Sequence, residues 1–224
     1  IAQMSCNPAI GGVGKGQLVR EIDALGGEIA QNANATTIQF RMLNDSRGAA
    51  ALSPRAQCDR DLYQKRMKLV LERQPNLMIQ QAEATGLVTD QDRVTAVTTA
   101  FGDRWECRTA VICTGTFLAG KLHYGMQAFP GGRAGDAAAY AFARTIREDL
   151  NLETARLKTG TPVRVLGKTI DFDSLDFQAP DTTGKAFSFR PLPADLPVFS
   201  SLRLDQRPCF LTYSTEETAR IARD

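Results

Sequence analysis

The stretch CNPAIGGVGKGQLVREIDALGG, residues 6–27, constrains the fold more than any other, because it sets four glycines and a lysine into positions 11–16 directly downstream of a cysteine. Glycine adopts positive φ without strain and lets a ligand approach the main chain. Leu18, Ile22 and Leu25 then recur at helical spacing, and Gly26-Gly27 supply a left-handed stop. The run predicts a loop that presents a helix N-terminus, with Lys15 adding a full charge, a place suited to phosphate or another anion. Neither common phosphate loop fits. A Walker A loop needs glycine where Ala9 stands and Ser or Thr where Gly16 stands; the G-x-G-x-x-G fingerprint fails because Gly12 and Gly14 are followed by Gln17, and Gly14 and Gly16 by Val19. A tight structural turn into a helix stays equally open.

The 224 residues suffice for one large domain or two small ones, and a hydrophobic content of 43% is ordinary for a chain with a real core. No apolar run approaches a membrane span, and no signal peptide opens the chain. The chain starts at Ile1 without an initiator methionine and stops inside a predicted helix, 215–224, so a piece of something longer is expected. Cys6, Cys58, Cys107, Cys113 and Cys209 form no C-x-x-C pair and are odd in number, which argues against a disulfide framework and fits a cytoplasmic setting. With His123 as the single histidine, no metal site is expected. The formal charge of +2 does not announce nucleic acid, but residues 41–68 hold seven basic groups against three acidic ones. A solvated helix face with ion pairs and a phosphate-binding patch both fit that excess.

Along the chain, residues 36–54 read as an irregular loop and 55–73 as a helix with Tyr63, Met67, Val70 and Leu71 inward. A short apolar strand is predicted at 77–79, meander strands at 86–88, 93–99 and 104–108, and a buried parallel strand at 110–115 that ends in Thr114-Gly115. A helix at 135–150 follows the glycine-rich 130–135 loop, and from Leu157 onward short runs punctuated by Pro and Asp suggest a smaller unit. The order predicts an α/β chain: a partial two-dinucleotide-type, Rossmann-like FAD-binding domain over 1–156, with a β-meander, and the start of a smaller inserted domain over 157–224. Its first strand and fingerprint would lie before Ile1. Ligands of open α/β sheets lie beyond the carboxyl ends of the strands, which directs Thr114, Gly115 and Thr116 at the cofactor.

Nine stretches in order, MSCNPAIGGVGKGQLVREIDALGG, IQFRMLNDSRG, SPRAQCDRDLYQ, QPNLMIQQAEATGLV, AVICTGTFLAGKLHYG, PGGRAGD, RLKTGTPVR, TIDFDSLD and PCFLTYSTEET, resemble the GidA (MnmG) family of tRNA uridine 5-carboxymethylaminomethyl modification enzymes. The resemblance covers the first third or so of a family member. It implies a homodimeric, FAD-dependent enzyme that works with the GTPase MnmE on carbon 5 of the wobble uridine of tRNA. A folate (methylenetetrahydrofolate) supplies the methylene, glycine or ammonium the amine, and NADH the reducing equivalents. The stretch RAGDAAAYAFA departs from the more proline-rich family pattern, and Ala139 stands where a small hydroxyl residue commonly meets the flavin.

The resemblance maps Cys6 onto one of two cysteines proposed to act in the family's reaction, so it reads either as a nucleophile or as a packing cysteine. For the flavin, Gly11, Gly12 and Gly14 pass beneath the diphosphate or ring, Lys15 balances charge, Ala84 offers its backbone to adenine, and Thr114-Gly115 closes the strand beside the cofactor. Arg55 and Gln57 are polar groups within reach of flavin or substrate. Arg156, Lys158 and Arg164 are candidates for tRNA phosphates or the nicotinamide cofactor, with plain surface arginine or lysine as the other reading. Cys58 and Cys113 are expected in the core, and His123 in a structural role. Two rivals stand: a TrmFO-like folate- and flavin-dependent tRNA methyltransferase, and a flavin scaffold that binds without catalysis.

Overall fold

A computed structural model describes residues 1–181, 186–195 and 206–223. In chain order its elements are β1 (Ala9–Gly11), α1 (Lys15–Ala24), α2 (Ile29–Thr36), β2 (Thr37–Leu43), β3 (Ser53–Cys58), α3 (Arg60–Glu72), β4 (Ala84–Asp90), β5 (Arg93–Thr99), β6 (Arg104–Glu106), β7 (Lys121–Tyr124), β8 (Gln127–Pro130), α4 (Tyr140–Arg144), β9 (Asp176–Gln178), β10 (Cys209–Leu211) and α5 (Glu216–Arg223). The chain is mixed α/β, and it divides into two compact units, Ile1–Leu77 with Gly160–Asp224, and Met78–Thr159.

The first unit is built on an antiparallel sheet of order β1-β3-β2. Ile10, Ala56 and Phe40 share one register row and point into a core with Val19, Ala30, Ala33, Cys58, Tyr63, Met67 and Phe187. The sequence reading of 36–54 as a loop and 55–73 as a helix is corrected here. Residues 37–43 and 53–58 are strands because Phe40 and Met42, and Pro54, Ala56 and Cys58, alternate inward with period two. The helix begins only at Asp59, whose carboxylate accepts the N–H groups of Asp61 and Leu62 at 3.0 Å each and so caps α3.

Helix α1 forms where the spacing predicts it, and it ends in a Schellman motif: Gly27 N–H bonds Ile22 C=O, Gly26 N–H bonds Asp23 C=O, and Gly26 has φ +94°. Its buried face, however, is Gly16, Val19 and Asp23, whereas Leu18, Ile22 and Leu25 are exposed. Close approach decides this. A Cβ on Gly16 would meet Ser53 Oγ and Pro54 O, so α1 lies against β3 along its glycine side. Helix α2 shows no apolar stripe in sequence. It is buried through amides instead: Asn32 donates to the Tyr63 carbonyl at 2.9 Å and accepts from Arg66 at 3.0 Å, and Arg66 also pairs with Glu28 at 2.6 Å.

In the second unit the predicted meander forms as the sheet β4-β5-β6. Residues 77–79 and 110–115 are not strands; Val111 is 88% exposed and Cys113 is exposed rather than in the core. A buried parallel strand needs hydrogen-bonded neighbours, and none of the described strands pairs with residues 110–115. The helix predicted at 135–150 starts later, at Tyr140, and widens into a π turn over Thr145–Asp149. Strands β7 and β8 form a hairpin ahead of the glycine-rich 130–135 stretch, and His123 lies on β7 opposite Ala128. No helix among the described residues is long and apolar enough to cross a membrane.

Candidate functional site

The glycine loop keeps its expected geometry, with its glycines divided by surroundings. Gly12 (φ +96°) and Gly14 (φ +78°) have nothing within 4 Å of where a side chain would start, so their backbone lies open. Gly11 (φ +97°) is closed: a Cβ there would meet Pro54 O and the Phe187 ring. Ser53 Oγ holds the loop by donating to Gly12 O at 2.5 Å, the Gly16 N–H donates to that same carbonyl at 2.7 Å, and Gly14 precedes α1 without any side-chain cap. Lys15 is exposed and donates to Ala9 O at 3.4 Å. Open glycines, a helix N-terminus without a side-chain cap and one lysine fit the diphosphate of a dinucleotide.

Cys6 is half-buried, and its thiol donates to Gly160 O at 2.9 Å. Arg164 donates to the carbonyls of Ser5 and Cys6 at 3.2 Å each, so one of the basic groups considered for phosphate instead clamps the cysteine's own backbone. Cys58 is sealed between β3 and α2, where burial pushes its thiol up to about 12; it belongs to the core, as expected, although on a strand rather than a helix. Arg55 and Gln57 lie on β3, not at a helix start, and face away from the core beside Arg41 and Gln39 of β2. Gln39 and Arg41 escape a reading of 36–54 as a loop, yet the alternation in IQFRML was the signal for them.

In the second unit Ala84 and Thr114 line one apolar cavity of 240 Å³ with Leu87, Val97, Ala110 and Phe142. Gly115 is exposed at φ +55°, and Thr116 Oγ1 donates to Gly132 O at 2.6 Å. Ala139 N–H bonds Phe117 O at 2.9 Å and its carbonyl accepts from Ala119 at 3.2 Å, a parallel bridge that ties the 114–116 turn to the start of α4. Arg156, also in this unit, donates to Ala119 O at 3.0 Å. Among the described residues no group of three or more His, Cys, Asp or Glu side chains is placed to hold a metal ion.

Residues 1–224 match the family described as Glucose inhibited division protein A. Among curated relatives, a tRNA uridine 5-carboxymethylaminomethyl modification enzyme MnmG from Geobacter sulfurreducens is 47% identical over 223 residues, covering 100% of this chain and 34% of that protein. One of the same name from Pelobacter propionicus is 46% identical with the same coverage. Aquifex aeolicus GidA in its form II crystal superposes with a TM-score of 0.85 at 41% identity, covering 99% of this chain and 36% of that one. The chain thus spans about a third of the length of the relatives it matches. The likeness carries the fold: α/β, with part of a Rossmann-like FAD-binding domain, as the sequence order predicts.

Proposed function

The chain belongs to the Glucose inhibited division protein A family, and from that premise we propose that the protein is an FAD-dependent enzyme modifying carbon 5 of the wobble uridine of tRNA. The observation that carries the reading within this chain is the open backbone at Gly12 and Gly14 leading into the N-terminus of α1, which has no side-chain cap. Gly12, Gly14 and Lys15 hold the cofactor diphosphate, with Gly11 setting the turn against Pro54. Ala84, Thr114, Gly115, Thr116 and Ala139, all in the second unit, are the further candidates for cofactor contacts, and Arg55 and Gln57 in the first are candidates for flavin or substrate. When bound, FAD supplies the redox chemistry of the modification. Cys6 is the nucleophile, its backbone fixed by Arg164 and its thiol proton directed at Gly160 O until substrate arrives.

NADH as reductant, a folate methylene donor, the GTPase MnmE, tRNA, a homodimer and a cytoplasmic setting complete the proposal, as does a division into a flavin domain to residue 156 and a substrate- and nicotinamide-side domain from 157. The test is flavin content. The full-length protein is expected to purify with a visible flavin spectrum, and Lys15→Ala to weaken FAD binding about tenfold, the effect of losing one charge-assisted phosphate contact. Unchanged FAD affinity in Lys15→Ala would reduce that lysine to a surface charge; a wild-type protein that neither holds nor takes up FAD would overturn the reading.

A further inference from the structure

The glycine loop rests on a segment far from it in sequence. Phe187 is fully buried, and its ring lies against Gly11 so closely that a Cβ there would stand 2.8 Å from Cε2. Gly11 and Gly12 both hold positive φ, and glycine keeps such a backbone mobile unless its surroundings fix it. Gly12 is fixed by three bonds: its N–H donates to Pro54 O at 3.0 Å, and its carbonyl accepts from Ser53 Oγ at 2.5 Å and from the Gly16 N–H at 2.7 Å. Gly11 pairs with Arg55 on β3 and is backed by the Phe187 ring.

Phe187 in turn is held from a distance. Its N–H donates to Asn34 Oδ1 at 2.7 Å, and the next three residues converge on one carboxylate: Ser188 Oγ and the Phe189 N–H donate to Asp23 at 2.7 and 2.8 Å, and Arg190 Nη2 donates to it at 3.1 Å. Arg20 closes the other end by donating to Ala186 O at 3.3 Å, with its guanidinium 4.9 Å from the centre of the Phe189 ring. Gly16, Val19 and Asp23 are the buried stripe of α1, so one helix face carries the packing against Ser53 and Pro54 at Gly16 and the anchor of this segment at Asp23. Seven residues of helix, roughly 10.5 Å, separate the two. Residues 186–190 therefore join the C-terminal half of α1 to the loop at its start.

We infer that Phe187 is a positioning residue of the glycine loop, docked by Asp23 and its partners, and that it fixes the conformation in which Gly12 and Gly14 receive the cofactor. That the occupant of the loop is the FAD diphosphate rests on the reading above; the support of the loop rests on these contacts alone. With the ring undocked, the space beneath Gly11 is empty and the loop has more conformations to surrender on binding, which lowers affinity. Linkage makes the effect reciprocal: a cofactor that needs the ordered loop tightens the docking of residues 186–190 by the same factor. Asp23→Asn is the remote probe. It turns one of the two acceptor oxygens into a donor facing other donors, loosens the segment and leaves every residue of the loop in place.

The test is hydrogen exchange of the full-length protein with and without FAD, beside FAD titration, for wild type, Phe187→Ala, Asp23→Asn and Arg66→Ala at a temperature where all are folded. Arg66→Ala removes a buried group of the same unit that lies away from the loop, and so reports plain destabilisation. Without FAD, exchange over residues 9–16 is expected to rise at least about fivefold in Phe187→Ala and Asp23→Asn, the low end for coupled sites, and to stay at the wild-type rate in Arg66→Ala. FAD affinity is expected to fall by a similar factor in the first two variants alone, and FAD added to wild type is expected to slow exchange over residues 186–190. Should Phe187→Ala not fold, Phe187→Leu, which keeps the site apolar, takes its place with a smaller change of the same sign. A wild-type exchange rate over the loop in the Phe187 variant, an equal rise in Arg66→Ala, or unchanged FAD affinity overturns the inference. A loop that loosens as described in a protein that takes up no FAD overturns the flavin reading and leaves Phe187 as the support of the loop.

Discussion

Asp23 is a fully buried carboxylate on α1, and its partners explain why it is tolerated. Ser188 Oγ donates to it at 2.7 Å, Phe189 N–H at 2.8 Å and Arg190 at 3.1 Å, while Arg190 also reaches Gly27 O. Burial by itself pushes the carboxyl up, but the bonds from Phe189, Ser188 and Arg190 outweigh it and hold Asp23 below the usual carboxylate range. The stretch that carries Ser188 also places Phe187 in the core, with its N–H on Asn34 Oδ1 at 2.7 Å. Replacing Asp23 with Ala strands those donors and is expected to cost about 3 kcal/mol of stability in urea unfolding. Because the folded carboxyl titrates below the unfolded one, its contribution is complete above about pH 4 and fades as pH falls through the folded value. The wild type should therefore lose its advantage over Asp23→Asn in acid; a difference that does not change with pH would show that the charge contributes nothing.

At the scale of elements, α2 and α3 are joined by one buried guanidinium. Arg66 is 1% exposed and donates to both Glu28 at 2.6 Å and Asn32 at 3.0 Å, while Asn32 continues to the Tyr63 carbonyl. Removing one partner of such a group leaves the other charge desolvated, so Arg66→Ala is expected to lose about 3 to 5 kcal/mol in chemical denaturation. An exposed ion pair is a useful contrast: Lys68 and Glu72, about half to two-thirds exposed, sit at i,i+4 on the same helix, and Lys68→Ala should change stability by less than about 1 kcal/mol. If the two substitutions cost the same, the buried network is not what joins the helices. The basic excess of residues 41–68 therefore splits by environment, with Arg66 structural, Lys68 solvated, and Arg41 and Arg55 on the sheet's polar face.

For the whole molecule, the five cysteines report burial independently of any activity. Cys58, pushed up to about 12 and sealed in the core, is expected to resist iodoacetamide at pH 8 until the protein unfolds, whereas exposed Cys113 is alkylated at once. Peptide mass spectrometry that finds Cys58 modified as fast as Cys113 in folded protein would show that the core is open. Cys6 tests the chemistry. Serine preserves its size and its hydrogen bond to Gly160 O while removing the nucleophile, so Cys6→Ser in the full-length enzyme should keep its melting temperature and its FAD yet lose wobble-uridine modification. Normal modified-nucleoside levels in tRNA from a strain carrying only that variant would leave Cys6 a packing residue.

Local chemistry was enough wherever it dictated the outcome. The loop of Gly11 to Gly16, the helix after it with its Gly26-Gly27 stop, and the meander turns could be read directly, because positive φ, capping and period-two alternation act over a few residues. The positive φ of Gly11, Gly12 and Gly14 follows from the same local chemistry. Which face of α1 is buried was a tertiary decision, since Gly16 lets β3 approach more closely than Leu18 or Leu25 can. So was burial of the amide-rich α2, whose polar groups become acceptable only once Arg66 and Tyr63 arrive from α3. The polar sheet face had the same dependence: Gln39 and Arg41 meet Gln57 and Arg55 only through strand register, a contact between segments that sequence spacing cannot encode.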